Sequence, residues 1–354
     1  MAFQLLPDIY VPTFTMTVGG VPLPAPLAKT VMEISVTQLP DLPDSFHFRL
    51  NDPTLKLIDA QTGIFTEGAR VEISMGFVGN TKTLIVGEIS ALTADFPDSG
   101  PATLEAEGFD FLHRLTRGTF YRRFDGPDPN TGLSDGQIVT QIASEMGLTP
   151  EVDDPGPRTA ARVQANVRNL DFLKELAKLD NYYLWVDGQT LHFKQARPAP
   201  ANLTLDWGKT LRSFSPRLTT AGQVNSVQVR GWDPVQKQEF SATADRSDAS
   251  AASLSATGRA QLALGSGGQS QLTISDPSIA TAAEAQAYAE AILSGEQQAM
   301  ITGHGTSVGQ PDMEAGSILV LNGVGRFSGS YVVQQAVHTL GAGGYQTSFE
   351  VRAS

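Results

Sequence analysis

The sequence predicts a mainly β protein with an α+β insert: two β-barrel-like domains, with a middle region of helices and a hairpin. Three observations carry this expectation. Apolar and polar residues alternate with period two along both ends of the chain, punctuated by Gly, Asn and Pro. A central stretch changes to the three- and four-residue spacing of helices. Glycine-marked strands over residues 68–107 can be laid beside residues 316–351, as an internal repeat would allow.

In chain order, "TFTMTVGGVPLP" reads as strand, Gly19-Gly20 turn, strand. "TVMEISVTQL" alternates over Val31 to Val36, and "SFHFRLND" alternates after a Pro-rich corner, with a short helix expected at Leu55 to Ala60. "RVEISMGF", "TLIVGEISALTADF" and "ATLEAEGF" follow as three strands. "SDGQIVTQIASEMG" then predicts a helix, with Ser134 and Gln137 as a capping box, Ile138, Val139, Ile142 and Met146 as the apolar face, and Gly147 as the stop. In "RNLDFLKELAKLDNYYLWVDGQTLHFKQ", Leu170 to Leu179 reads as a helix capped by Asn169. Asp187-Gly188 turns a hairpin between strands starting at Tyr182 and Thr190.

After a linker-like stretch at 196–202, strands resume with "NLTLDW" and "VNSVQVRGWDP". Residues 245–271 are rich in Ser, Ala and Gly and read as a mobile loop. "TAAEAQAYAEAILSG" reads as an Ala-rich helix over 281–294, capped by Thr281 and Glu284 and stopped at Gly295. "GSILVLNG", "SGSYVVQQAVHTL" and "YQTSFEVRA" close the chain as strands. In the repeat, Gly68 answers Gly316, Gly87 answers Gly329, Gly100 answers Gly344 and Thr103 answers Thr347.

Composition narrows the function. The 354 residues suit two or three domains, and 41% hydrophobic content is ample for their cores. With no Cys, disulfide frameworks and thiolate metal sites are excluded. The net charge of −12, without a dense basic run, disfavours nucleic-acid binding. The N-terminal "MAFQLLPDIYVPTF" lacks the basic and apolar regions of a signal peptide. No apolar run approaches the roughly 18 residues of a membrane helix. Cytoplasmic synthesis without membrane insertion is expected.

Candidate chemistry is thin. The five histidines, His47, His113, His192, His304 and His338, show no metal-ligand spacing, and no nucleophile elbow is present. "GVGRFSG" leads into a strand rather than a helix N-terminus, so it is no phosphate loop. Asp153 and Asp154 sit in a Pro/Gly loop and read as solvated turn residues, with a weak cation site as the alternative. Trp185, Trp232, Tyr182 and Tyr183 read as core aromatics, with a sugar groove as the alternative. No catalytic, cofactor-binding or metal residue is assigned, no cofactor is expected, and the chain reads as a non-enzyme.

The closing segment "GVGRFSGSYVVQQAVHTLGAGGYQTSFEVRA" resembles the C-terminal end of the phage late control D family, with Gly329, Tyr331, His338, Gly344, Tyr345, Thr347 and Arg352 in matching places. "VNSVQVRGWDP", "EGFDFLHRLTRG" and the helix-hairpin stretch at 168–195 resemble further parts of that family. The resemblance implies a structural baseplate hub of a contractile tail or injection system, related to the hub part of type VI secretion spikes. It implies a homotrimer whose subunits each carry two tube-like β-barrel domains, a symmetry adaptor between a hexameric tail tube protein and a trimeric spike. Residues 1–115 would form the first tube-like barrel, 116–195 the α+β insert, and 196–354 the second barrel with its loop and Ala-rich helix. Because the sequence stops after the last strand, the spike is expected to be a separate protein. Other baseplate proteins are expected partners too, with the chain assembled into the baseplate. Two alternatives remain: an extracellular β-rich carbohydrate-binding module and a tail-associated peptidoglycan hydrolase.

Overall fold

The computed structural model describes residues 11–40, 42–57, 64–127, 131–156, 161–180, 182–195, 202–219, 224, 226–233, 237–245, 271–275, 281–298 and 301–354. The chain is mainly β, as its alternation predicts.

The first part comprises β1 (Pro12–Val18), β2 (Val21–Pro22), a one-turn α1 (Ala25–Ala28), β3 (Val31–Gln38), β4 (Ser45–Asn51), β5 (Arg70–Phe77), β6 (Asn80–Asp95) and β7 (Thr103–Asp110). They pair in the order β3-β4-β7-β6-β5-β1-β2. One face of β1 and of each of β3 to β7 contributes to a single core, including Met16, Ile34, Phe46, Phe48, Ile73, Ile89 and Ala106, so the sheet wraps around it. The Gly19-Gly20 turn has φ of 59° and 80°, the left-handed pair a tight hairpin needs. Its second arm is only two residues long, because Pro22 and Pro24 remove N–H donors. The helix expected from Leu55 is not formed at its described end. Leu55 adopts φ 58°, and the Asp52 carboxylate closes a turn by accepting from the N–H groups of Lys56 and Leu57. Residues 58–60 lie outside the described residues.

The middle part holds a 3-10 turn (Phe111–Thr116), β8 (Phe120–Phe124), α2 (Asp135–Glu145), β9 (Thr149–Val152), β10 (Arg162–Val167), α3 (Asn169–Asp180), β11 (Tyr183–Asp187) and β12 (Thr190–Lys194). The capping box at Ser134 and Gln137 is present in both directions. Asn169, expected to cap α3, is instead fully buried, and its Oδ1 accepts from Arg122 at 2.6 Å and Gln164 at 3.0 Å. Strands β8 and β10 pair as a ribbon, and β9 adds parallel to the hairpin. Leu173, Leu176, Ile138, Ile142 and Phe193 share one core.

The last part combines β13 (Asn202–Asp206), β14 (Leu211–Leu218), β15 (Ser226–Asp233), β16 (Gln238–Asp245), β17 (Gln271–Ser275), α4 (Ala282–Gln298), β18 (Ile301–Val308), β19 (Ile318–Asn322), β20 (Gly329–Gly341) and β21 (Gly344–Ala353). Strands β16-β15-β17 form a small sheet with its own core, onto which Ala285, Ala289 and Leu293 of α4 pack. Helix α4 runs through Gly295 to Gln298 rather than stopping at the glycine. Most of the stretch expected to be a mobile loop, 246–270, lies outside the described residues, as does 196–201 of the linker-like stretch.

The other strands order as β14-β18-β21-β20-β19-β13 around a further core containing Tyr331, Val333, Phe349 and Leu319. The two large sheets are one. Strand β20 pairs antiparallel with β3, from Ala336↔Gln38 to Leu340↔Ile34. Across this seam Tyr345 joins the first core, and Phe77 packs on its ring at 5.5 Å.

Candidate functional site

The side chains singled out for chemistry fall in separate places. His192 stacks on Trp185 with centroids 4.7 Å apart, and its Nδ1 lies 3.2 Å from Glu151. Tyr182 packs on Phe193, while Tyr183 is exposed on the same hairpin. Asp153 and Asp154 do not share a site. Asp153 accepts from Lys194 and the Gln195 N–H, whereas Asp154 accepts from the Ser134 hydroxyl and the Gly156 N–H. Trp232 is exposed on β15, remote in topology from that hairpin. "GVGRFSG" forms a turn with Gly323 and Gly325 in left-handed conformation and enters β20.

His113 lies 3.1 Å from the buried Glu88, which also binds Arg114 at 2.5 Å and Arg117 at 3.1 Å. Burial pushes the Glu88 carboxyl up, but the hydrogen bonds and charge of Arg114, with Arg117 beside it, outweigh burial and hold the group below the usual range. Asp110 caps the following 3-10 turn through the Leu112 N–H, and burial raises its carboxyl to about 7. Among the described residues, no group of three or more His, Asp or Glu is placed to hold a metal ion.

The family-like residues of the last strands form a polar knot inside the sheet. The Tyr331 hydroxyl donates to the Phe327 carbonyl at 2.5 Å. His338 is fully buried. Its Nε2 lies 2.9 Å from the Met313 carbonyl, which only accepts, so the ring proton sits there. Nδ1 therefore accepts from the Tyr345 hydroxyl at 2.8 Å, with Thr347 Oγ1 at 3.3 Å. Burial lowers His338 to about 4 and raises the Tyr345 phenol. These residues fix strand geometry and present no reactive group at a surface.

What the topology repeats is a ladder of strands. The order β3-β4-β7-β6-β5 matches β14-β18-β21-β20-β19, pair by pair. The Gly68 N–H donates to the Ile89 carbonyl and the Gly316 N–H to the Val333 carbonyl, each at 2.8 Å, from left-handed glycines with φ of 79° and 87°. From that anchor the registers agree. Gly87 opposite Asp110 matches Tyr331 opposite Ala353, and the bulges in β6 (between Ile89 and Ala91) and β20 (between Val333 and Gln335) fall at the same step. A second matching pair of bulges lies between Val31 and Glu33 in β3 and between Leu211 and Ser213 in β14.

Register corrects three of the four residue equivalences read from sequence. Gly68 does answer Gly316. Gly87 answers Tyr331 rather than Gly329, Thr103 answers Gln346 rather than Thr347, and Gly100 and Gly344 are offset by the same step. Register also exposes a match that the sequence reading missed. Ser35, His47 and Glu107 lie side by side on β3, β4 and β7, and Ser215, His304 and Glu350 hold the corresponding places on β14, β18 and β21. Both trios alternate with core-facing residues, so they line the face away from the core. Flanking pattern was the available signal: "FHF" around His47 and "GHG" around His304 are both strand contexts, although the flanking sizes differ. The size difference is compensated across the ladder. Phe48 faces Ala106 in one copy, and Gly305 faces Phe349 in the other. A Cβ on Gly305 would come within 2.6 Å of the Phe349 ring.

Solved structures with the same fold include tail proteins and a type VI secretion component. The prophage MuSo2 43 kDa tail protein from Shewanella oneidensis matches with a TM-score of 0.70 at 14% identity, covering 96% of this chain and 98% of that one. A tail protein from Neisseria meningitidis MC58 matches at 0.66 and 12% identity, covering 97% of each. The E. coli c3393 protein, a type VI secretion component described as similar to T4 tail proteins gp27 and gp5, matches at 0.55 and 11% identity, covering 96% of this chain and 76% of that one. No curated protein matches in sequence. Residues 12–341, nearly the whole chain, match the family described as the Alg8 N-terminal domain, and the chain belongs to that family.

Proposed function

We propose that this chain is the structural hub subunit of a contractile phage tail or phage-tail-like injection system. It works as a homotrimer that joins a hexameric tail tube to a trimeric spike, in contact with other baseplate proteins, and it catalyses no reaction. The domain division proposed with it is 1–115 and 196–354 for the two tube-like parts and 116–195 for the insert.

The duplicated ladder is the observation that carries this function. A hexameric tube end offers six equivalent edges, and three chains satisfy them only if each presents a matching surface twice. Shared bulges and an identical Ser-His-Glu row give this chain two such surfaces in one register. The tail-protein fold and the late control D resemblance of Tyr331, His338 and Tyr345 support the same reading.

Mass measured by light scattering, alone and with tube and spike proteins, tests it. A species of three chains is expected, alone or on addition of a partner. A monomer in every mixture would sink the proposal.

A further inference from the structure

We infer that neighbouring copies of this chain join edge to edge, β6 of one copy adding antiparallel to β14 of the next, in the register of the internal β20–β3 seam. The inference rests on the hub reading and deepens it by naming the surfaces that meet.

Within the chain, Ala336–Leu340 of β20 pair with Ile34–Gln38 of β3. The ladder equivalence carries these segments onto residues 92–96, the end of β6 and the residue after it, and 214–218 of β14. Among the described residues, neither segment has a partner on its outer edge. The sheet path ends at β14, and β5 pairs with β6 only as far as Glu88, with one further bond pair between Ile89 and the Gly68–Ala69 turn. The chain therefore contains one joint of this kind and both halves of a second. A single copy does not bring its own two halves together in that way, because β14 and β6 lie on opposite sides of the seam, beyond β18-β21-β20 on one side and β3-β4-β7 on the other. The fitting occupant is another copy of the chain.

Hydrogen-bonding groups alternate along a strand, and two fixed points set the phase. The Asp110 N–H points to Asp44, and the Val308 N–H points to Thr210. Stepping along the ladders from them, Leu92, Ala94 and Phe96 turn their backbone groups to the free edge of β6. Phe214, Pro216 and Leu218 do the same on β14. The two edges are in phase. The docked pairs are Leu92 with Leu218, Thr93 with Arg217, Ala94 with Pro216, Asp95 with Ser215, and Phe96 with Phe214. Apolar residues meet on one face and polar residues on the other. Phe96 is 63% and Leu218 37% exposed in the single chain, and both would be covered. Three such head-to-tail joints close a ring of six ladders.

One residue sets the strength of the joint. Pro216 stands where Val36 stands in the seam, with its nitrogen aimed at the free edge and no N–H to give. Its carbonyl accepts from Ala94, but no bond returns. A proline on an open edge restrains uncontrolled strand addition, so the intermolecular joint is weaker than the internal one.

The chain has no cysteine, which makes cross-linking clean. Asp95→Cys and Ser215→Cys are placed in separate copies and mixed at high concentration, with and without tube and spike proteins. Oxidation should give a covalent dimer only in the mixture of both variants, and the doubly substituted chain should give a ladder ending at three. Moving one cysteine two residues, as Thr93→Cys with Ser215→Cys, should abolish the product. Pro216→Val restores the missing N–H and should lower the concentration needed for association by roughly five-fold. A trimer by mass that forms no mixed disulfide overturns the interface and leaves the hub reading intact. A chain that stays monomeric in every mixture removes both.

Discussion

At His338 the chain has committed a titratable group to structure. The imidazole is neutral in the fold because burial lowers it to about 4, whereas an unfolded histidine binds its proton near 6.5. Its contribution to stability is fully present above 6.5 and is lost as pH falls through about 4. The slope is about 1.4 kcal/mol per pH unit inside that window. Asp110 acts in the opposite direction. Its carboxyl is raised to about 7 by burial, so its cost to the fold disappears as pH falls toward the usual carboxylate range. The histidine contribution is therefore isolated by comparison. His338→Gln should be less stable than the native chain at pH 7, by about 1–3 kcal/mol for the groups left unpaired at Met313 and Tyr345. The gap between the two melting temperatures should narrow steadily from pH 6.5 to 4. A constant gap across that range would show that His338 is not held neutral.

Elements with local causes were legible, and elements with distant partners were not. Helix α2 carries its own start in Ser134 and Gln137 and its stop in Gly147, whose φ is 70°. Strand β4 shows burial at every second residue, as "SFHFRLN" implies. The period marks helix α3, but the partners of its first residue are not legible, because Arg122 and Gln164 come from distant segments. Strands β8 and β10 carry no legible pattern for the same reason. Their sequences, "FYRRF" and "RVQANV", acquire meaning only when paired with each other. Glycines misaligned the repeat because identity was matched where hydrogen-bond register decides. For α3 itself, Leu176 is 1% exposed in the insert core, so Leu176→Ala should cost about 2–5 kcal/mol through lost burial and a cavity. Thermal melts of the purified variant measure this. An unchanged melting temperature would contradict the packing.

For the whole molecule, the β20–β3 seam makes one continuous sheet from two similar ladders, and closure by further copies would carry the face away from the core around a ring. That face presents Glu33, Ser35, Glu105 and Glu107 from one ladder and Ser213, Ser215, Ser348 and Glu350 from the other. The arginines on that face are Arg49, 3.3 Å from Glu105, together with Arg217 and Arg352, and His47 lies 3.7 Å from Glu105. Such a band is acidic and small, on a chain whose net charge is −12. A conduit lined this way lets a polyanion pass without holding it, because neighbouring carboxylates repel phosphates and no basic stripe releases counterions. The assembled ring should therefore show no tight binding to double-stranded DNA, even at low salt, where any electrostatic attraction is least screened. Filter binding across a salt series measures it. Retention of DNA at low salt that falls steeply as salt rises would place cations on the lining and contradict the assignment of this face to the conduit. Weak binding at every salt concentration, with the ring intact by light scattering, is the expected result.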